Sequence, residues 1–421
     1  MMYKHTLRAG AAILAVAALA LTGCSSAEDS SSGSAEGLTV GTLLPLTGSL
    51  AYFGPPTTSG VNLAVEDINA AGGVLGNDVK VVSTDSGDSI DMNVSTQGAT
   101  ELIKAGSNVI IGAASSSVTL NVADQVTEAG VMMISPAATA TAISGYSPLM
   151  SRTAPPDTVQ GAALGTAVLD AGHSKVGILV QNEDYGTGLR DNVQKSVEAG
   201  GGQVVYGATG AGQEFPPGES NFASYVTELL ATKPDTIVII AFEETVAIIQ
   251  ALLAAGWDTH NLFFCDGNAK DYADSFDPGT LEGALGTIPG AQPPDDFRTR
   301  MIDWYKTNEK KDMKDFMYGP EAYDATILAA LAAVRGGATD GNTIAENIRA
   351  VSGTEKDAVV VTSFADGIAA LEDGKEISYK AISGVGPLNE QMDPSTAFIG
   401  VYKYDSTNKP IFSASVEGSA S

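Results

Sequence analysis

Over 421 residues the chain carries 50 acidic and 23 basic side chains, a formal charge of −27. A surface this negative repels phosphate backbones, which removes nucleic acid from the expected partners. Two cysteines, Cys24 and Cys265, and three scattered histidines, His5, His173 and His260, offer neither HExxH nor paired-Cys spacing, so no His- or Cys-based metal site and no cofactor is expected.

The N-terminus reads as a targeting segment. Lys4, His5 and Arg8 precede an apolar run, Ala11 to Leu21, that is short for a membrane span, and Leu21-Thr22-Gly23-Cys24 follows. This pattern resembles a bacterial lipoprotein signal, which implies removal of residues 1–23 and lipidation at Cys24. Residues 24–37 lack large apolar side chains and read as a flexible tether. With Cys24 so used, Cys265 has no partner for a disulfide within the mature chain. No other apolar run approaches transmembrane length, and roughly 380 residues remain, enough for two domains with substantial cores.

From Thr39 onward, strand and helix patterns alternate with Gly-rich joints. Thr39 to Leu44 reads as a strand stopped by Pro45, Gly60 to Ala71 as a helix closed by Gly72-Gly73, Val79 to Thr84 as a strand and Asn93 to Ala105 as a helix. Next comes a βαβ unit: strand Val109 to Ile111, a Gly/Ser turn, a helix over about Val118 to Glu128, and strand Val131 to Ile134. In an open α/β sheet ligands sit outside the carboxyl ends of the strands, so Ser115 to Ser117 and Pro136 to Thr139 are expected to face one crevice. The first run opens a helix, where free N–H groups favour an anion, and with no Lys or Arg nearby a small carboxylate suits it better than a phosphate. Helix capping is the competing role for the same serines.

After Arg152-Thr153-Ala154-Pro155-Pro156-Asp157 the alternation restarts. Helices are expected at Val159 to Asp170, Gly188 to Ala199, Phe222 to Thr232 and Thr245 to Ala255, and strands at Lys175 to Gln181, Gln203 to Tyr206, Thr236 to Ile240 and Leu262 to Phe264. The Pro pair is a natural boundary between two α/β lobes. Beyond Pro289 lie three helical patterns, Asp295 to Lys306, Tyr318 to Val334 and Thr343 to Val351, then a strand at Phe398 to Tyr404. A lobe that ends near Thr287 and is followed by more α/β material implies that the chain returns to the first lobe, leaving a cleft at a hinge.

Several segments together resemble the leucine/isoleucine/valine-binding proteins of ABC importers. They are Leu44-Pro45-Leu46-Thr47-Gly48 with Gly54, Ala64 to Gly76, Gly112 to Ser117, Ile134 to Thr139, Asp184-Tyr185-Gly186, Ala322-Tyr323-Asp324-Ala325, and Gly374 to Tyr379 with Ser383-Gly384. The resemblance implies a type I periplasmic-binding-protein fold, with two Rossmann-like lobes joined by three crossover segments and a ligand cleft between them. On that pattern lobe 1 is 38–156 plus 289–396, lobe 2 is 157–288 plus 397–415, and 416–421 form a disordered tail. The crossovers fall near Ala154 to Asp157, Gly286 to Gly290 and Thr396 to Phe398.

The same resemblance implies site roles. Ser115 and Thr139 supply hydroxyl and backbone donors to the carboxylate of an amino acid, the Ala137 carbonyl faces its ammonium, and Asp266 is the ammonium's counter-charge. Tyr185 lines the cleft from lobe 2, Phe53 and Tyr318 are aromatic walls of lobe 1, and Phe242 lies near another wall position, with plain packing the favoured role for it. Burying a zwitterion is costly unless each end finds partners, which is why both kinds of group are needed. Glu183, Asp184, Glu243 and Glu244 make the lobe 2 rim acidic. Such charges are expected to be solvated, and an inward-facing one favours a basic, polyamine-like or amide ligand.

The implied function is that of an extracytoplasmic lipoprotein that captures a small, branched-chain-type amino acid or related amide by closure of two lobes and hands it to an ABC permease. It is expected to be a monomer held to the bacterial cell membrane through Cys24. Alternatives are a ligand-sensing receptor for a signalling partner, or a receptor for urea, short-chain amides or polyamine-like solutes. Enzyme chemistry is not expected, since GxSxG, GxxxxGK[ST] and GxGxxG are all missing.

Overall fold

The computed structural model describes residues 37–419 except Lys314. The predicted signal segment, Cys24 and all but the last residue of the tether lie outside the described residues.

The first sheet is built from β1 (Thr39–Leu44), β2 (Lys80–Asp85), β3 (Val109–Gly112), β4 (Met132–Ser135) and β5 (Met150–Arg152), with α1 (Gly54–Ala70), α2 (Met92–Lys104) and α3 (Ser116–Glu128) between them. Its order is β2-β1-β3-β4-β5, parallel throughout. Next come α4 (Asp157–Asp170), β6 (Lys175–Val180), α5 (Asp184–Ala199), β7 (Gln203–Tyr206), α6 (Ala223–Ala231), β8 (Thr236–Ile240), α7 (Thr245–Ala254), β9 (Leu262–Phe264) and β10 (Leu285–Pro289). Four more helices follow, α8 (Asp295–Glu309), α9 (Gly319–Gly336), α10 (Gly341–Arg349) and α11 (Phe364–Glu372), along with the short parallel pair β11 (Val359–Val361) and β12 (Ile377–Tyr379). The chain finishes with β13 (Thr396–Tyr404) and β14 (Pro410–Ser419). The second sheet has the order β14-β13-β10-β9-β8-β6-β7, in which β13 runs antiparallel to β10 and β14 antiparallel to β13.

Both sheets are covered on two faces, as continuous apolar strands require. Val109 and Ile111 pack towards α1 and α9 through Val61, Ile68, Ile327 and Leu331, whereas Ile110 faces Leu102, Val118 and Val122 of α2 and α3. In the second lobe Ile178 and Val180 meet Leu164, Leu189 and Val193, and Ile237 and Ile239 meet Val226, Ile249 and Leu252. Each such side chain contributes about 1.5–3 kcal/mol on burial.

Phe297, Met301 and the Ala322–Ala333 stretch join the core of the first lobe, so the chain does return to it after β10. The two lobes are linked three times: between β5 and α4, between β10 and α8, and on entry to β13. A buried ion pair, Arg152 Nε to Asp393 Oδ1 at 2.7 Å, ties the first link to the segment that leads into the third.

Helix α1 starts at Gly54, earlier than the Gly60 start expected from sequence. Pro55 and Pro56 occupy its first positions, where a missing N–H is no loss, and Phe53 becomes its N-cap. Gly60 is needed further along the helix because a Cβ there would collide with the Gly319 carbonyl of α9. The close crossing of α1 and α9 seats Tyr318, which sits at φ 61°, ψ 5° just before α9. At the C-terminus, the expected disordered tail from 416 is replaced by strand: Thr396 pairs with Ser419 and Tyr404 with Pro410. Hydrogen bonding to β13 holds β14 although Ile411, Phe412 and Val416 are exposed, so its pattern lacks the alternation of a half-buried strand.

Candidate functional site

Loops from both lobes meet around one small cavity. Leu50 and Phe53 precede α1, Ala114, Ser115 and Ser116 follow β3, and Ala137 follows β4. From the other lobe come Tyr185 in the first turn of α5, Phe242 after β8, and Asp266 and Gly267 after β9. Of the seven residues expected from sequence, Phe53, Ser115, Ala137, Tyr185 and Asp266 line this cavity, and Tyr318 reaches it through its hydroxyl. The cavity encloses about 10 Å³, room for about one water molecule, so the lobes must part to admit a solute.

Asp266 is the electrostatic centre. It is 3 % exposed, the Tyr185 hydroxyl donates to Oδ1 at 2.6 Å and the Tyr318 hydroxyl donates to Oδ2 at 2.5 Å. Burial raises its carboxyl pKa, with the two hydroxyls pulling the other way. Burial and the adjacent Asp266 charge push both tyrosine hydroxyls well above their ordinary range, so they remain donors. Tyr318 crosses from one lobe to the other in making this bond, and Tyr52 does the same, donating to the Gly267 carbonyl at 2.8 Å.

Asp157 is the residue that sequence left out. It opens α4, is fully buried, and neither of its carboxyl oxygens has a hydrogen-bond partner among the described residues. Its N–H donates to the Thr139 carbonyl at 2.8 Å, and the buried Thr139 hydroxyl beside it pulls the Asp157 pKa down against the effect of burial. Burial first, and the Asp266 charge second, hold the Asp157 carboxyl well above the usual carboxylate range. No lysine or arginine is among the residues lining the cavity.

The three serines divide their work. Ser115 is the N-cap of α3, its oxygen accepting the Val118 N–H at 3.4 Å while the side chain lines the cavity, so it caps the helix and faces the crevice at once. Ser116 accepts the N–H groups of Thr139 and Ala140 at 3.2 and 3.1 Å, which fixes the loop after β4. Thr139, expected to supply both hydroxyl and backbone donors, is not among the residues that line the cavity, and its N–H is taken by Ser116. Ser117 leaves the cavity and bridges the lobes, 2.7 Å from both Glu183 Oε2 and Asp184 Oδ2. Arg152 completes the support of this loop, donating to the carbonyls of Ala138 and Ala140 at 3.2 and 2.9 Å.

Residues 37–370 match the family described as periplasmic binding protein. The chain belongs to that family. This periplasmic binding protein is 27% identical over 346 residues to the Leu/Ile/Val-binding protein of Escherichia coli (strain K12), which spans 81% of the chain and 89% of the relative. It is also 27% identical over 310 residues to the leucine-, isoleucine-, valine-, threonine-, and alanine-binding protein of Pseudomonas aeruginosa, covering 73% of the chain and 80% of the relative. Among solved structures, a leucine-binding protein from Thermotoga maritima MSB8 superposes with a TM-score of 0.73 at 22% identity, over 90% of this chain and 98% of that one. A solute-binding protein of an ABC transporter from Rhodopseudomonas palustris HaA2, in complex with p-hydroxybenzoic acid, gives 0.71 at 18% identity over 91% and 98%. The fold is the type I periplasmic-binding-protein fold, and these relatives are solute-binding proteins.

Two expectations for this periplasmic binding protein need correcting. Phe242 is more than packing: it lines the cavity and stacks on Tyr185, ring centroids 5.5 Å apart at 11°. Of the four rim acids, Asp184 and Glu243 are exposed, but Glu183 and Glu244 are each only 8 % exposed. Neither of these lines the cavity. Glu244 accepts from Gln181 Nε2 (3.1 Å) and the Gly218 N–H (2.9 Å), so its charge is spent on holding loops. Glu183 caps α5 through the Gly186 N–H and faces Ser117 across the lobes.

Proposed function

We propose that this protein is the extracytoplasmic receptor of an ABC importer, anchored through a lipid on Cys24, acting as a monomer and delivering a small zwitterionic amino acid to a membrane permease. The observation that carries this reading is Asp266, a buried carboxyl group in a cavity lined by no protein cation, with a second buried acid, Asp157, at the start of α4. With Asp157 held protonated by burial, one carboxylate remains for one ammonium, and the charge in the closed cleft balances.

The opposite end of a zwitterion finds the N-terminus of α3, where the Ser115 hydroxyl and the helix dipole favour an anion. The Ala137 carbonyl flanks it. Phe53 and Tyr318, packed edge to face at 5.1 Å, with Tyr185 and Phe242 opposite, give apolar walls for an aliphatic side chain. The lobes are taken as 38–156 with 289–396 and 157–288 with 397–419, and capture is their closure about the three links.

The test is calorimetric titration with leucine, isoleucine, valine and alanine. At least one is expected to bind, and Asp266→Ala is expected to weaken it by roughly a hundredfold or more, as removal of one partner of a buried ion pair does. Affinity retained within a few-fold in Asp266→Ala would refute the assignment. A dication such as putrescine binding more tightly than any monoamino acid would instead mean that Asp157 is ionised in the complex.

A further inference from the structure

A second cavity, of about 280 Å³, lies behind Tyr318 on the hinge side of the cleft. Its position follows from Glu321 in the first turn of α9. The Glu321 carbonyl accepts the hydroxyl of Thr153 at 2.8 Å, on the first link between the lobes. The Glu321 carboxylate lies against Gly290 on the second link, where a Cβ would collide with Oε1. Tyr402, on the β13 strand that the third link feeds, forms part of the same wall. The second link and β13 therefore border this space, and the first link is tied to it through the Glu321 backbone.

Glu321 is 2 % exposed and has no side-chain partner among the described residues; the donor nearest its carboxyl group is its own backbone N–H. Burial holds its carboxyl group well above the usual carboxylate range, so it ionises only where a counter-ion is brought beside it. The other charges around the cavity are largely spoken for. Asp271 pairs with Lys409 at 3.6 Å, and Arg298 pairs with Asp295 on its own helix. Asp315 accepts the Met317 N–H at 2.9 Å and feels Lys270 only at a distance. Two acids are left over, and both line the space.

The rest of the wall includes Ile288, Phe316, Met317 and Ile411, which suits a carbon chain. No cluster of three or more metal-ligating side chains was found among the described residues, so a metal ion is not the natural occupant. The volume sits near the lower end of small-molecule sites, at about 300 Å³.

We propose that the hinge cavity is a second ligand site, separate from the cleft, that takes a small organic cation of the primary alkylammonium class with Glu321 as its counter-charge and Asp315 as a supporting acid. Because the second link and the β13 strand that the third link feeds form part of its walls, its shape changes when the lobes rotate. An occupant therefore acts on opening and closing, and by reciprocity a cleft ligand alters the affinity for this second site.

The probe is n-butylammonium chloride, titrated calorimetrically into the purified full chain, with butyrate and 1-butanol as matched controls. The wild type is expected to bind one butylammonium and neither control. Asp266→Ala, which disables the cleft but also removes the Tyr318 bond across the lobes, is expected to shift that affinity by a few-fold without abolishing binding, and Glu321→Gln to lose at least tenfold. Asp315→Asn, which leaves Glu321 in place, is expected to lose at least threefold. No binding by the wild type, loss of binding in Asp266→Ala, or affinity within twofold in Glu321→Gln would each overturn the proposal. If Glu321→Gln fails to fold, a wild-type crystal soaked with the amine decides: density within hydrogen-bond distance of the Glu321 carboxylate supports the site, and density confined to the cleft refutes it.

Discussion

Glu183→Gln isolates what a single buried proton does to lobe closure. The Ser117 hydroxyl lies 2.7 Å from Glu183 Oε2 and 2.7 Å from Asp184 Oδ2, and it accepts the Asp184 N–H at 2.9 Å. One hydroxyl hydrogen serves only one carboxylate, so the second contact needs a proton on a carboxyl group. Glu183 is the group placed to carry it, since burial raises its pKa to about 7, against the opposing pull of Ser117 and the Gly186 N–H and with the Asp184 charge adding to the rise.

When the lobes part, the carboxyl group regains solvent and returns towards its ordinary value of 4.5. The closed form thus binds more protons than the open form between those values, so closure is fully favoured below about pH 4.5 and is lost as pH rises through about 7. A difference of that size is worth on the order of 3 kcal/mol, or roughly 300-fold in the open-to-closed ratio. Small-angle X-ray scattering of ligand-free protein between pH 4.5 and 8 reads the effect as a rise in radius of gyration. Glu183→Gln keeps a neutral donor towards Ser117 at every pH, and is expected to flatten that rise. Equal expansion of wild type and variant over this range would refute the role assigned to Glu183.

Three further outcomes are expected. Asp157→Asn replaces a buried acid, whose pKa burial raises well above the usual carboxylate range, with a neutral amide of the same shape, so the ligand-free protein should melt at higher temperature at pH 8 while amino-acid affinity stays within a few-fold, as read by differential scanning calorimetry and titration. Gly60→Ala should destabilise the first lobe by about 1–3 kcal/mol in urea unfolding, because the added methyl meets the backbone of α9 and not a movable side chain. Arg152→Met leaves Asp393 buried without its ion-pair partner and frees two loop carbonyls, an expected loss of about 3–5 kcal/mol in the same assay.

Strands such as Val109–Gly112 and Thr236–Ile240 were legible because a run buried on both faces must be apolar throughout, a local property of the chain. Met150–Arg152, Leu285–Pro289 and Pro410–Ser419 were not, since each lacks an apolar run of its own, carrying Arg, Gly and Pro or exposed apolar residues, and is held by its pairing with β4, with β9 and β13, and with β13 respectively. In the site, Ser115 stood out because its run follows a buried strand and opens a helix, whereas Tyr185 and Asp266 were named through the family resemblance. Asp157 follows Pro155-Pro156 at a helix start, where an acid is ordinary, and only the packing of the second lobe around it takes away its solvent. Glu183 was read as solvated for the same reason: its cover comes from Ser117, 66 positions earlier.

The late arrival of β13 and β14 governs how the chain can fold as it is made. The second sheet lacks two of its seven strands until residues 396–419 exist, and the first sheet lacks the cover of α8 to α11 until residue 372 has been added. N-terminal domains ordinarily fold first during synthesis, but neither half can complete its core here until nearly all of the polypeptide has emerged. A nascent chain of this topology keeps both sheets incompletely covered for most of its elongation, which postpones the final locking of either lobe until the last strands are in place.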